Sequence, residues 1–367
     1  MSISQGDGVS RYLAWAKLRS SARFNLAISG VEDYPLAELP VRMEDLEIGG
    51  TDAYGYAPLM ERLAAKAGVA QECVVYTFGT SMANFLALSA LVHRGEEVLV
   101  ERPTYDPLLA ILDHLGAKVT RFERRPEKGF RIGLGELERR ITQNTRLVVL
   151  CNLHNPSSAF SDEDTMRQVG EMANKAGARV LVDEVYLESV FDQPWRSAFH
   201  LGANFVVTSS LTKAYGLSGI RCGWVLADPE LVQRMWQIVD FTYGSPVHPA
   251  ELLAIVALDN LDRVRERART LLNTNRALVN DFLKQHPELD CEPSRVGTTI
   301  FPRLKTGNAG EFVTRLWEEF ETSVVPGEFF EAPQHFRMGL CGATESLKEG
   351  LERIGSALTG QRQSKAV

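Results

Sequence analysis

Lys213 closes the run Ser209-Ser210-Leu211-Thr212-Lys213, and Arg221 follows it. A lysine amine can form a Schiff base with a carbonyl where its surroundings hold the partner. Ser210, Thr212 and Arg221 combine hydroxyls with a planar cation, donors of complementary shape for a phosphate. The preceding run, Asn204-Phe205-Val206-Val207-Thr208, is apolar and β-branched and reads as a buried strand. Lys213 is therefore expected just past a strand end. A lysine there is more often a solvated loop charge, and Ser-x-x-Lys recurs by chance. The chemistry at the other strand ends decides between these readings.

Strand Val74–Phe78 ends in Gly79-Thr80-Ser81, a glycine turn into a helix start. Such a turn presents free N–H groups to an anion; the competing reading is an ordinary turn with Ser81 as N-cap. Strand Glu97–Val100 leads to Tyr105, which can stack on a planar cofactor or plug a loop. Strand Leu147–Cys151 leads to Asn152-Leu153-His154-Asn155-Pro156. There Asn155 is a fixed amide donor suited to a phenolate oxygen, or simply turn chemistry. Strand Arg179–Val182 ends in Asp183-Glu184-Val185-Tyr186. Burying a carboxylate unpaired is costly, so Asp183 requires a partner, and a protonated ring nitrogen supplies one. An Asp capping the next helix is the weaker alternative. Tyr186 can share the phenolate oxygen with Asn155. Taken together, these positions suggest pyridoxal 5′-phosphate (PLP) carried on Lys213, with Asp183 keeping its ring nitrogen protonated.

The elements that must position these residues alternate. Helices are expected over 82–92, 108–115 and 162–176, the last with Ser161 as N-cap, between strands at 74–78, 97–100, 118–122, 147–151, 179–182, 205–208 and 222–226. Fully apolar strands between helices indicate a mostly parallel sheet covered on both faces, which binds ligands beyond the carboxyl ends of its strands. After Pro246 a charged amphipathic segment, 250–286, reads as one or two long helices. Short strands at 298–301 and 336–340 and a helix over 346–358 follow. The first forty-odd residues are expected to pack against this part, and the polar tail 360–367 to fray. With 367 residues, 44% of them hydrophobic, the chain can bury a full core. Its net charge of −7 offers no basic field for nucleic acid. Five scattered cysteines without a CxxC pair point to core residues rather than disulfides or zinc, and the seven histidines have no metal-ligand spacing. No signal peptide or apolar membrane span is read, so a cytoplasmic location is expected.

With these motifs the chain resembles the fold-type I PLP-dependent enzymes, in their class I/II aminotransferase branch, from Asn25–Gly30 to Phe336–Leu340. The resemblance implies an α/β fold: a three-layer large PLP-binding domain with a mostly parallel sheet over 46–258, and a smaller α+β domain from 1–45 and 259–367. It implies Lys213 as the Schiff-base lysine and Asp183 as the pyridine-nitrogen partner. Asn155 and Tyr186 become phenolate partners and Tyr105 the stacking aromatic. Thr80, Ser81, Ser210, Thr212 and Arg221 become phosphate ligands. Arg337 matches the α-carboxylate arginine and Gly30 the glycine closing on that carboxylate. Tyr54 resembles the tyrosine that reaches the neighbouring subunit's phosphate, with Tyr56 an alternative. A homodimer acting on an amino acid and a 2-oxo acid is implied, by a ping-pong exchange through a Lys213 aldimine, with no metal, nucleic acid or membrane partner. The family often has Asn-Pro-Thr-Gly where this chain has Asn155-Pro156-Ser157-Ser158, which puts the local turn shape in question. No arginine lies between Arg234 and Arg263 to take a second substrate carboxylate, which disfavours aspartate or glutamate as donor; Arg11, Arg19 or Arg23 could supply one.

Other readings fare worse. Ser210-x-x-Lys213 and Lys305-Thr306-Gly307 match motifs of penicillin-recognising serine hydrolases, but the near match at Ser161-Asp162-Glu163 falls in the wrong order. The same PLP fold also serves β-lyases, cyclases and decarboxylases. A PLP-sensing regulator would need a DNA-binding domain, which the N-terminal segment is too short to form. Gly-x-Gly-x-x-Gly is absent, so a dinucleotide site is not supported. Trp15, Tyr243, His154 and His248 are weaker candidates for the pocket.

Overall fold

The computed structural model describes residues 10–18, 22–50 and 54–360; Arg19 and nearly all of the tail lie outside them. Seven strands form the central sheet: β1 (Val74–Phe78), β2 (Glu97–Arg102), β3 (Lys118–Glu123), β4 (Thr145–Cys151), β5 (Arg179–Asp183), β6 (Phe205–Ser210) and β7 (Cys222–Leu226). Their order is β3-β2-β4-β5-β6-β7-β1. All run parallel except β7, which is antiparallel to both neighbours. Alternate residues of each strand enter different cores. Leu99, Val148, Val180 and Val207 pack under the helices Ala57–Ala67, Glu163–Lys175 and His248–Asp259. Val98, Val149, Leu181 and Val206 pack under Thr80–Leu91, Asp106–His114 and Pro229–Thr242. Strands buried on both sides cannot alternate with polar residues, which is why their sequences read as continuous apolar runs.

The direction of β7 matters for the site. Its first residues, Cys222 and Gly223, pair with Phe78 at the end of β1 and Ser210 at the end of β6. Arg221 is therefore delivered to the same sheet edge as the carboxyl ends of the parallel strands. Gly79 and Gly223 permit this approach. A Cβ on Gly223 would lie 2.6 Å from the Gly79 backbone, and one on Gly79, whose φ is +78°, 2.6 Å from Arg221 Nη2.

A separate core gathers Phe24, Leu26 and Val31 with residues from Ala268 to Ala357. In it Phe336–Gly339 is the middle strand of an antiparallel trio with Thr299–Ile300 and Val325–Pro326. Phe336 and Met338 enter this core, so Arg337 points to the opposite face. The amphipathic segment is two helices, His248–Asp259 and Leu261–Gln285, parted at Asn260.

The structure corrects some boundaries. The helix after β1 begins at Thr80, not Met82, with Gly79 at its N-cap position rather than Ser81. Asp162, not Ser161, caps Glu163–Lys175, its side chain accepting from Thr165 N. Ser161 is occupied elsewhere: its N–H donates to Asn152 Oδ1 and its carbonyl accepts from Asn152 Nδ2. Lys213 lies just past the end of β6, as expected, within a four-residue helix, Thr212–Tyr215. Helices at 57–67, 134–140, 229–242 and 309–320 were not anticipated. Among the described residues no helix is long and apolar enough to cross a membrane.

Candidate active site

The carboxyl ends of β1, β2, β4, β5 and β6 converge on Lys213. Burial pushes its amine below the ordinary lysine value; nearby Arg337 and Arg221 push the same way, while Tyr12 and Cys341 oppose them. Among the described residues it forms no ion pair. Gly30 abuts it closely, since a Cβ there would meet Lys213 Cδ at 3.2 Å. The backbone is fastened beside it, Val31 N donating to Lys213 O at 2.8 Å.

Asp183, at the end of β5, is 3% exposed. Its Oδ2 accepts from Asn84 Nδ2 at 2.9 Å and its Oδ1 from Val185 N at 3.1 Å. Asn84 is itself oriented by Thr208, whose hydroxyl donates to Asn84 Oδ1 at 2.6 Å. Burial raises the Asp183 pKa to about 6, against the pull of Asn84, Val185 and Lys213. No cation bonds this carboxylate among the described residues.

Arg337 is fully buried. Its Nη1 donates to Asn155 Oδ1 at 3.0 Å; its Nη2 donates to Tyr12 Oη at 2.7 Å and Ala27 O at 3.1 Å. Its Nε has no partner, and no carboxylate pairs with it among the described residues. The guanidinium lies 5.2 Å from the ring centroids of both Tyr12 and Phe330. Because Asn155 spends its carbonyl oxygen on Arg337, its Nδ2 is left to donate into the site. Tyr186 donates to Ser29 Oγ at 2.9 Å, and burial raises its pKa. Tyr105 meets Tyr12 edge-on at 5.8 Å, and its charge neighbours are Tyr12, Tyr186, Asp183 and Arg337.

A third cluster lies at the β1 turn. Thr80 Oγ1 donates to Ser210 Oγ at 2.8 Å, and Thr212 N donates to the same oxygen at 3.2 Å. Thr212 Oγ1 is buried without a hydrogen-bond partner. Arg221 is held by donating to Ser218 O and Phe78 O, each at 3.0 Å. With the first-turn N–H groups of Thr80–Leu91, these donors could hold an anion.

Two of the predicted residues are exposed. Ser81 is exposed on the first turn of that helix. Tyr54 is 48% exposed, donates to Asp240 Oδ2 at 3.2 Å and packs against Trp236. Tyr56 packs edge-on against His248. His154 has both ring nitrogens engaged, by Pro103 O and Ser157 Oγ, and Tyr243 donates to Tyr76 O.

Sequence reasoning missed Tyr12 and Asn84. Asn84 left a signal, being a polar residue inside the apolar run Met82–Leu88. Tyr12 left none, since its link to Arg337 spans most of the chain.

A family model described as aminotransferase class I and II matches residues 46–354. Capreomycidine synthase of Streptomyces vinaceus is 29% identical, the match covering 93% of this chain and 92% of that protein. An arginine–pyruvate transaminase of Pseudomonas aeruginosa is 30% identical over 95% of this chain and 94% of its own. A PLP-dependent aminotransferase structure from Streptococcus suis superposes with a TM-score of 0.90, at 26% identity and complete coverage of both chains.

Proposed function

The chain belongs to the class I and II aminotransferase family, and we infer that it moves an amino group between an α-amino acid and a 2-oxo acid, with PLP as cofactor. One observation carries this reading. Beside the half-buried amine of Lys213 lie a buried carboxylate without a cation, Asp183, and a buried guanidinium without a carboxylate, Arg337. Buried charges are costly unless paired, so the site asks for one cationic and one anionic group at these two places. The pyridinium of PLP and the carboxylate of an amino acid answer that description.

The donor set fits the cofactor. Thr80, Ser81, Ser210, Thr212 and Arg221 would hold its phosphate; the orphaned Thr212 hydroxyl favours an oxygen-rich guest there. Asn155 Nδ2 and Tyr186 would bind its phenolate oxygen, and Tyr105 would stack on its ring. Bound PLP supplies an electron sink for the pair left at Cα when the amino acid loses a proton. The remaining work belongs to the protein. Asp183 holds a proton on the ring nitrogen. Lys213, its pKa lowered, has a larger neutral fraction to take the Cα proton and return it. Arg337 grips the substrate carboxylate through its free Nε and remaining Nη1 hydrogen. Tyr12 and Asn155 fix that guanidinium, and Gly30 leaves room for the carboxylate beside Lys213. The expected kinetics are ping-pong.

Two large apolar cores favour a division into a large domain, 46–258, and a small one from 1–45 and 259–367, with Tyr34, Leu39 and Val264 of the small one packed into the large core. A homodimer is supported by exposed Phe241 beside Asp240, which accepts from Tyr54, the residue that would reach the neighbouring site. A cytoplasmic location accords with five free cysteines.

A spectral screen of the holoenzyme against common amino acids, with product analysis, tests the activity. Transamination bleaches the cofactor band and releases a 2-oxo acid. The likeness to a PLP-dependent cyclase structure, OrfR, with a TM-score of 0.89 at 24% identity, makes cyclisation the second reading. A cyclic amino acid formed without any 2-oxo acid would replace the first reading with that one.

A further inference from the structure

Among the described residues, three arginines are at least nine-tenths buried: Arg124, Arg276 and Arg337. Arg124 is neutralised by Glu101 at 2.7 Å, with both side chains fully buried. Arg337 awaits a carboxylate in the candidate active site. Arg276 presents the same unresolved charge in a different place. Its Nη1 donates to Asn273 Oδ1 at 2.6 Å and its Nη2 to Gly297 O at 3.2 Å. Its Nε has no partner, and no carboxylate closes an ion pair with it among the described residues. Burial pushes its pKa down, and the nearest compensating field is that of Asp192 on the exposed rim.

Arg276 lines a cavity of about 400 Å³. That is the size of a small-molecule site. Neither Lys213, Asp183, Asn155 nor Arg337 is among its walls. Phe160, Phe191, Val296 and Phe301 give it an apolar side. Two further buried polar atoms in its lining are orphaned, Ser294 Oγ and His335 Nδ1. Three unpartnered buried polar groups around one cavity are more than loop packing requires, because each costs free energy that a bound group would recover. The segment that carries Ser294 is already fastened by Asn280, which donates to Ser294 O at 2.9 Å and accepts from Ser294 N at 2.7 Å. The guanidinium is therefore not needed to hold it.

We infer that this cavity is a second ligand site, separate from the active centre, that takes a small carboxylic acid with an apolar body, its carboxylate on Arg276 and Ser294. The apolar end lies against the phenylalanines, and the carboxylate satisfies the free Nε.

The probe is 4-bromophenylacetate, titrated calorimetrically into the holoenzyme and soaked into its crystals, where bromine is located by anomalous scattering. Bromine density inside the cavity with the carboxylate on Arg276 is expected. Arg276→Gln should weaken that binding at least about tenfold, the effect of losing a charge-assisted contact. Should Arg276→Gln fold poorly, Val296→Phe fills the cavity with every charge kept, and it must also remove the bromine. Neither residue belongs to the proposed catalytic machinery, so transaminase activity without the probe should persist in both variants. An empty cavity in crystals that bind bromine only elsewhere overturns the inference, and so does cavity binding that survives both substitutions.

Discussion

Replacing Asn84 with alanine tests how the site holds its buried carboxylate. Asp183 titrates at about 6 rather than 3.8 because burial disfavours its charge. An offset of roughly two units corresponds to a penalty on the order of 3 kcal/mol on the ionised form. The folded pKa lies above the unfolded one. In the apoenzyme this group's contribution to stability is therefore fully present below about pH 4 and lost as pH rises through about 6. A pyridinium partner reverses the penalty, so PLP should bind more tightly as pH rises through about 6. Asn84 donates to Asp183 at 2.9 Å, and a hydrogen bond to a charged group contributes about 1.5–3 kcal/mol. Removing it should raise the Asp183 pKa by a further one to two units or so. The pH at which PLP affinity climbs should move up by the same amount. The assay is fluorescence titration of apoenzyme with PLP across the acid-to-neutral range, for parent and Asn84→Ala side by side. The cofactor's own ionisations are common to both proteins, so the difference between midpoints reports Asp183. An unmoved or lowered midpoint would refute the proposed coupling.

Arg337→Ala should raise the KM for the amino donor about a hundredfold or more, the effect of breaking a buried ion pair, while PLP affinity changes little. Steady-state kinetics with an unchanged KM would remove Arg337 from the carboxylate site. Tyr12→Phe deletes the acceptor of Arg337 Nη2 and should raise the same KM about tenfold; a loss confined to PLP binding would contradict that positioning role. Gly297→Ala should lower the thermal midpoint. Gly297 has φ +82°, and its added Cβ would lie 2.4 Å from Ser158 Oγ, together costing about 1–3 kcal/mol. Ser158→Gly should recover part of that loss, and a Gly297→Ala protein as stable as the parent sinks this packing account.

The strand ends were legible because each placed a chemically distinctive residue after an apolar run that could only be buried strand. Gly79, Tyr105, Asn155, Asp183 and Lys213 all belong to this class. The direction of β7 was not legible, since Cys222–Leu226 is as apolar as its parallel neighbours. Only its pairing with Phe78 and Ser210 shows how Arg221 reaches the donors that could hold an anion. The turn after Asn155 takes a glycine-like conformation although it lacks the glycine. Ser158 adopts φ +59°, the conformation a glycine would take without strain, and is held there by donating to Thr299 O at 2.8 Å. Gly297 leaves the space it needs, a compensation spread over distant sequence that no local pattern could signal. The same holds for Tyr12 on Arg337 and for the Glu101–Arg124 pair. Each is a tertiary contact between residues whose local sequence asks for nothing special.

Reduction of the holoenzyme with borohydride, followed by digestion and mass mapping, tests the central assignment most directly. A pyridoxyl group on the peptide bearing Lys213, absent from Lys213→Ala, is the predicted result. A label on any other lysine, or an unlabelled protein that still transaminates, would contradict it.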